Sequence, residues 1–171
     1  MLRSVQNDNQ RMFSTEHSDF RGTSIVGTDK PWLFTSGCRG LLRCELPLID
    51  DGAGQGGGVY LWHSYTVRLG FKACQGDKPG QRVFDVKLGD KVVLRNFDIL
   101  RTAGKSSVRS PKDNKAVVKK FKGVPAKNDL VLELVPKSVN PQAGLGLAEP
   151  RRANLDRAPI INFIEVIKED G

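Results

Sequence analysis

Apolar and polar side chains alternate at every position between residues 65 and 72 of this chain. The apolar positions of this run are Tyr65, Val67, Leu69 and Phe71. Successive side chains of an extended strand point to opposite faces, so a period of two indicates one buried and one solvated face. The pattern therefore predicts a strand, which we extend back to residue 59 because residues 59–62 are also strand-forming.

A second alternating run leads into a hairpin. Its apolar positions are Phe84, Val86 and Leu88. Gly89-Asp90 separates this run from another strand-like run. A two-residue loop with glycine first suits a type II′ turn, whose twist matches that of the flanking strands. We therefore predict an antiparallel hairpin over residues 82–99.

Shorter apolar runs predict the remaining strands. They lie at residues 31–34, 41–48, 116–121, 130–134 and 160–167. The last run is densely apolar, which predicts a central strand buried on both faces. Turn residues recur at short intervals and no amphipathic helix is evident, so the pattern favours an all-β, antiparallel β-sandwich or barrel.

Composition agrees with this architecture. The 171 residues include 18 Gly and 9 Pro, which suit short strands joined by turns, and 39% hydrophobic with 27% charged residues is ordinary for a soluble globular protein. Residues 1–18 are polar and aperiodic, so we predict a loosely ordered N-terminal extension. Residues 19–171 are predicted to form one β-sandwich domain.

Neither a membrane span nor a signal peptide is visible in the pattern. An apolar run of about 18 residues would be needed for a span, and the first 20 residues lack an apolar core. Cys38, Cys44 and Cys74 form no Cys-x-x-Cys pair, so we predict no zinc site. We expect buried thiols, and one disulfide that includes Cys74 is the alternative.

Positive charge is concentrated in one stretch of a chain whose formal net charge is +8. The stretch from Arg101 to Lys122 contains Arg101, Lys105, Arg109, Lys112, Lys115, Lys119, Lys120 and Lys122. Such a stretch could hold a polyanion. The alternative is a solvated loop followed by an edge strand whose lysines oppose aggregation. We do not expect nucleic acid as a partner.

A glycine-rich segment at residues 52–57 formally matches a dinucleotide-binding fingerprint. That fingerprint requires a helix to begin directly after it, so that the helix N-terminus faces the pyrophosphate. Here a strand-like run follows at residues 59–62. We therefore interpret the segment as a connector and predict no cofactor.

Catalytic patterns are also missing from the sequence. Neither Gly-x-Ser-x-Gly nor His-Glu-x-x-His occurs, and the two histidines are His17 and His63. The carboxylate pairs at residues 50–51 and 169–170 are adjacent in loops or at the terminus, whereas a glycosidase needs two carboxylates facing each other across a cleft. We therefore predict a protein that is not an enzyme and has no metal site.

Two tryptophans are candidates for ligand contact, since sugar rings pack their C–H faces on aromatic planes. A tryptophan near a strand end can instead close the core. We expect the core for Trp32 and leave both roles open for Trp62, which follows the glycine-rich loop.

Several short motifs occur in one order along the chain. They are Tyr-x-Val-x-Leu-x-Phe at residues 65–71, Val-Phe-Asp-Val at 83–86, Phe-Asp-Ile at 97–99, Ala-Gly at 103–104, and a proline with an apolar strand at 159–166. In this order and spacing the chain resembles the malectin family over residues 18–168.

The resemblance implies a jelly-roll, galactose-binding-like β-sandwich. It also implies a non-catalytic carbohydrate-binding module that recognises a saccharide through loops at one edge of the sandwich. The alternative is a structural or protein-interaction domain without a sugar site, appended to a larger protein. An extracytoplasmic location is implied by the resemblance alone.

The family's ligand residues map onto altered positions. Phe20 stands in place of a tyrosine, and Arg39-Gly40 occupies the place of an Arg-Tyr step with a second tyrosine. Gln75 begins a Gln-Gly pair in place of a Tyr-Phe pair. Asp156 is displaced by one residue from the family's aspartate. We expect the family's glucose disaccharide to bind weakly or not at all. Loops 50–58 and 72–82 could build a different site with Arg39, Gln75 and Trp62.

Overall fold

The computed structural model describes residues 24–48, 62–104, 114–137 and 157–169, together with the backbone of residues 14–17. The strands in this part of the chain are β1 (Ser14–His17), β2 (Ser36–Arg39), β3 (Arg43–Pro47), β4 (His63–Phe71), β5 (Val83–Leu88), β6 (Lys91–Asp98), β7 (Val117–Ala126), β8 (Asp129–Pro136), β9 (Ile160–Ile161) and β10 (Phe163–Lys168). A 3-10 helix spans Pro31–Phe34, and α1 spans Ile99–Ala103.

The strands form antiparallel sheets in two layers. One layer is the four-stranded sheet β3-β8-β5-β6. The other contains β10-β4-β7 and β1-β2-β9, which continue into each other because Asn162 alone separates β9 from β10. Every ladder between these strands is antiparallel. The predicted all-β antiparallel sandwich is confirmed.

The core lies between the two layers. Phe71 on β4 packs against Phe84 and Phe97 of the opposite sheet, with ring centroids 6.0 and 4.8 Å apart. Val67 and Leu69, from the predicted apolar face of β4, are completely buried. Full burial of side chains of this size stabilises the fold by roughly 1.5–3 kcal/mol each. The period-two pattern of residues 65–71 therefore identified an inward face correctly. The opposite face is not solvated as predicted, because Thr66 and Lys72 on it are also buried.

The predicted hairpin is also present. Leu88 pairs with Lys91, which leaves Gly89 and Asp90 as the two loop residues. Gly89 has a φ of +56°, and Asn96 is the one non-glycine residue with positive φ in the described part of the chain. A positive φ at the first loop residue but not at the second agrees with the predicted type II′ turn.

Residues 31–34 form a 3-10 helix and not the predicted strand. Pro31 stands at its start, where a fixed φ and a missing N–H are tolerated. Trp32, expected in the core, is 62% exposed. Phe34 is the buried residue, and its ring meets Phe163 edge-to-face at 5.4 Å on the outer side of the β10-β4-β7 sheet. A side chain can thus be buried outside the sandwich, which period-two reasoning does not anticipate.

The apolar run at 160–167 is not a central strand buried on both faces. Ile160 and Ile161 in β9 are buried, but β10 is half-exposed and Ile167 is 47% exposed. Within the described residues β10 pairs on one side only, with β4. Phe163 of β10 packs against a small second cluster of buried residues, Ile25, Phe34 and Ala116, outside the sandwich core.

Three further elements were not predicted, namely α1, β1 and β2. Helix α1 begins where the predicted hairpin ends, because the Asp98 carboxylate accepts hydrogen bonds from the backbone N–H groups of Leu100 and Arg101. Strand β1 pairs with β2 in a part of the chain where we predicted no strand. The division into residues 1–18 and 19–171 remains a prediction.

The three cysteines are free thiols, so the alternative of a disulfide is not found in the structure. Cys44 and Cys74 are buried and Cys38 is half-buried. Burial raises the pKa of both Cys38 and Cys44, and the neighbouring Cys44 raises the pKa of Cys38 further. These thiols behave as small core residues, as expected.

Candidate functional site

Four chain segments meet at one end of the sandwich, where β2, β4 and β6 finish and β9 begins. We call residues 39–40, 72–82, 98–104 and 157–159 together the loop end. Arg39 Nη2 lies 3.1 Å from Cys74 Sγ, and the Gly40 N–H donates to Pro159 O at 2.8 Å. The Gly80 N–H donates to Asp98 Oδ2 at 2.7 Å. These contacts join segments that are far apart in sequence.

A buried ion pair fixes the shape of the 72–82 loop. Arg82 donates from Nε and Nη2 to the two carboxylate oxygens of Asp77, each at 3.0 Å. The side chains of Arg82 and Asp77 are 4% and 7% exposed. Arg82 Nη1 also donates to Ala158 O, and the Cys74 N–H donates to Asp77 Oδ2 at 3.0 Å. Loop 72–82 is therefore fastened to itself and to segment 157–159.

Asp98 provides a second tie at the same end. Its carboxylate caps α1 and also accepts the Gly80 N–H, so one buried side chain joins the helix to the loop. The Arg101 guanidinium Nε lies 3.3 Å from Asp98 Oδ2 on the solvent side. Both carboxylates of the loop end are thus held by protein donors.

A depression lies beside these ties. It is lined by Ala73, Asp77, Lys78, Arg82, Asp98, Ile99 and Leu100. Its volume of about 170 Å³ includes space that is open to solvent.

The structure brings two of the predicted site residues together. Gln75 is exposed at a turn next to Cys74, which Arg39 contacts. Arg39 itself is half-buried. Phe20 and Asp156 lie outside the described residues, although Arg157 and the segment after it belong to the loop end.

Trp62 lies elsewhere. It directly precedes β4, and the nine residues of that strand separate it from the loop end. At about 3.3 Å per residue this separation is about 30 Å, so Trp62 and Gln75 do not share one site. Trp62 is 70% exposed and therefore accessible at the opposite end of the sandwich. The glycine-rich loop at 50–58 lies outside the described residues.

Sequence reasoning missed the charged residues that build and surround the loop end. Asp77 and Arg82 gave no signal, because charged residues between strands usually face solvent. The capping role of Asp98 did leave a signal, since an aspartate before a short run that ends in Gly104 is typical of a helix start and stop.

The predicted basic stretch is partly described, because residues 105–113 fall outside the described part. Lys119, Lys120 and Lys122 lie on β7, which pairs only with β4 among the described residues. Lys119 Nζ lies 5.8 Å from the centre of the Phe97 ring, and Pro125 is exposed on the same strand. Lysines and proline are typical of a protected sheet edge, which favours the alternative of an edge strand whose lysines oppose aggregation.

The described residues contain no group of His, Cys, Asp and Glu side chains arranged to hold a metal ion. None of the helices in the described residues is long and apolar enough to cross a membrane.

Comparisons with known proteins agree with the fold. Residues 62–122 match the family model of the malectin domain. No curated protein matches the chain. The extracellular domain of ANXUR1 from Arabidopsis thaliana superposes with a TM-score of 0.63 at 14% identity, covering 99% of this chain and 40% of that one. The plant receptor-like kinase FER gives 0.59 at 18% identity, covering 92% and 40%.

A β-glucuronidase from Bacteroides uniformis is also similar, with a TM-score of 0.59 at 12% identity, covering 91% of this chain and 13% of that chain. The chain therefore spans less than half the length of these solved structures. The likeness at such identities concerns the fold alone. Residues 62–122 include β4, β5, β6, α1 and the start of β7, the segment that carried most of the predicted motifs. This match confirms the predicted resemblance to the malectin family over residues 62–122, and the solved structures share the antiparallel β-sandwich.

Proposed function

We propose that the chain is a non-catalytic recognition module of malectin type that binds a saccharide at the loop end. The observation that carries the proposal is the convergence of Arg39 and Gln75 on one rigid loop, held by the Asp77–Arg82 ion pair. The malectin-domain match over residues 62–122 supports the same class of ligand.

The chemistry of this surface suits hydroxyl groups. The exposed Gln75 amide can both donate and accept hydrogen bonds, and the Arg39 guanidinium can donate several. A loop already fastened by buried ties loses little conformational freedom when a ligand arrives, which lowers the cost of binding. We propose that Phe20 and Asp156 complete the site from the neighbouring segments.

We expect modest affinity. Stacking contributes about 0.5–1.5 kcal/mol per aromatic contact beyond area burial, and Gln75-Gly76 stands where the family has an aromatic pair. Since about 1.4 kcal/mol is a tenfold change in Kd, the loss of two or three rings moves a micromolar site towards the millimolar range.

A glycan array at high protein concentration, followed by titration calorimetry of the best saccharide, tests the proposal. Gln75→Ala should weaken binding clearly, whereas Asp90→Ala in the exposed hairpin loop should not. Trp62→Ala reports on the opposite end of the sandwich. Loss of binding in Trp62→Ala with none in Gln75→Ala would move the site away from the loop end. The absence of any saccharide binding at millimolar concentrations would reject the proposal.

A protein-interaction domain is the second candidate. It is favoured by the small volume of the depression at the loop end, about 170 Å³ including space open to solvent, because small-molecule pockets are usually larger. One solved structure of FER contains the plant peptide RALF23 and LLG2, so this fold is found in a protein that forms such a complex. Under this proposal the chain is an interaction module of a larger protein, and the glycan array shows no specific saccharide.

A further inference from the structure

Charge at the loop end is distributed unevenly between surface and interior. The cationic side chains that reach solvent there are Lys78, Arg101 and Arg157, and Arg39 is half-buried. The Arg101 side chain is 73% exposed. Among the described residues of the loop end, Asp77 and Asp98 are the carboxylates, and both are buried. A ligand that approaches this end therefore meets positive charge first.

The buried carboxylates cannot offer their oxygens to a ligand. Asp77 is held by the Arg82 fork and by the Cys74 N–H. Asp98 accepts the N–H groups of Gly80 and of the first turn of α1. Neutral sugars are commonly held by carboxylates that accept from their hydroxyls, and the described part of the loop end presents none for that purpose. Asp156 of the proposed site would therefore be one carboxylate beside the three exposed cations Lys78, Arg101 and Arg157.

The cations surround one short loop. Lys78 lines the depression next to Asp77 and Arg82. The Arg101 guanidinium lies across Gly80, with Nη2 only 3.6 Å from where a Cβ would stand. Arg157 directly precedes Ala158, whose carbonyl accepts from Arg82. Contacts with the Asp77–Arg82 ion pair and with loop 72–82 thus bring the three cations, which lie in three chain segments, to one surface.

We infer that the saccharide bound at the loop end is anionic and carries a carboxylate, sulfate or phosphate group. The inference rests on the proposed saccharide site and names its class of ligand. The paired donors of an arginine guanidinium match the oxygens of planar carboxylates and tetrahedral anions. A neutral sugar would leave this pairing unused. A surface of one sign also raises the local concentration of oppositely charged ligands. An anionic group would compensate for the missing aromatic wall.

Three matched ligands test the inference by titration calorimetry at low ionic strength. They are a neutral glucose disaccharide, its counterpart with glucuronic acid, and its sulfated counterpart. At least one anionic disaccharide should bind about tenfold tighter than the neutral one, or ~1.4 kcal/mol. Added salt should reduce that preference, because exposed charges are screened. The two anionic ligands together distinguish a carboxylate from a sulfate site.

Paired charge reversals locate the binding surface. Lys78→Glu with Arg157→Glu should remove the preference for the anionic ligand, while Lys120→Glu with Lys122→Glu on β7 makes the same change in net charge elsewhere. Both pairs consist of exposed residues. Lys78→Gln with Arg157→Gln provides milder variants should either reversal impair folding, which thermal unfolding reports.

Each outcome decides a different point. Loss of the preference in the loop-end pair alone supports the inference. Equal loss in the β7 pair overturns it, because binding would then follow overall charge or the basic stretch. Equal affinity for neutral and anionic disaccharides overturns the inference while the saccharide site stands. Binding of none of the three overturns the inference, whereas the glycan array decides separately whether the loop end binds any saccharide.

Discussion

Replacing Arg82 with methionine should both destabilise the protein and loosen its loop end. Methionine keeps much of the volume of arginine but removes all of its donors. Asp77 would remain as a buried carboxylate with only the Cys74 N–H to compensate its charge. The Ala158 carbonyl, which Arg82 also serves, would lose its donor.

The magnitude follows from the burial of the pair. Hydrogen bonds to a charged group contribute about 1.5–3 kcal/mol each, and Arg82 makes two of them to Asp77. Breaking a buried ion pair by removing one partner costs roughly 3–5 kcal/mol, because the other charge is left uncompensated. For a chain of this length each kcal/mol lowers Tm by about 2–4 °C. We therefore expect Arg82→Met to lower Tm by about 10 °C.

Urea unfolding at neutral pH, followed by fluorescence, measures the loss as a shift in midpoint at constant slope. Hydrogen exchange at the Cys74 amide reports the loop directly, since that N–H donates to Asp77. The matched control is the double variant Asp77→Leu with Arg82→Met, which removes both charges. It should be more stable than Arg82→Met alone, because no buried charge remains.

Two results would refute this reasoning. One is a loss below about 1 kcal/mol in Arg82→Met, which would place the pair in the class of solvent-screened ion pairs. The other is a double variant whose loss of stability equals the sum of the losses measured for Arg82→Met and for Asp77→Leu alone, which would show no coupling between the two side chains.

Three further changes probe the rest of the sandwich. Gly70→Ala places a Cβ against the Phe163 ring and should cost about 1–3 kcal/mol in urea unfolding, with partial recovery when Phe163 is also reduced to leucine. Asn162→Ala removes the side-chain hydrogen bonds that join the β9–β10 junction to two neighbouring segments, and should cost about 2–4 kcal/mol. Burial tends to raise the pKa of Asp85, but its hydrogen bonds to Lys137 and to a backbone N–H outweigh burial and hold the pKa below the ordinary 3.8. The stabilisation by Asp85 is therefore present above that value and lost as pH falls through the lower folded-state pKa, so Asp85→Asn should flatten the acid side of a plot of urea midpoint against pH. Each contact would be contradicted by an unchanged urea midpoint in the corresponding variant, Gly70→Ala or Asn162→Ala. For Asp85→Asn the contradicting result is an unchanged fall of the urea midpoint at acid pH.

Hydrophobic patterning predicted the sheet strands well and the elements outside them poorly. Residues 65–71 and the 82–99 hairpin were recognised because their alternation reflects a sandwich with one buried face. Pro31–Phe34 has the apolar content of a strand, yet it covers the outside of a sheet as a 3-10 helix. Its burial depends on Phe163, a residue far away in sequence, which no local pattern can reveal.

The residues of the candidate site were likewise only partly predictable from the sequence. Family-like motifs pointed to Arg39 and Gln75 and to the loop at 72–82, and the structure joins them. The motifs could not place Trp62 at the opposite end of the sandwich. That placement follows only from the length of β4, whose nine residues separate Trp62 from the loop end. Nor could the motifs show that Asp77 is buried while Lys78 beside it is exposed.

The sequence by itself determined that the chain forms antiparallel strands with an apolar side and that these strands resemble a malectin domain. Side-chain alternation and turn chemistry are local properties, so they can be recognised without coordinates. Only the tertiary structure decided which charges are neutralised inside and which face a ligand. That outcome depends on Arg82, Ala158 and Asp98 meeting at the loop end across long stretches of chain.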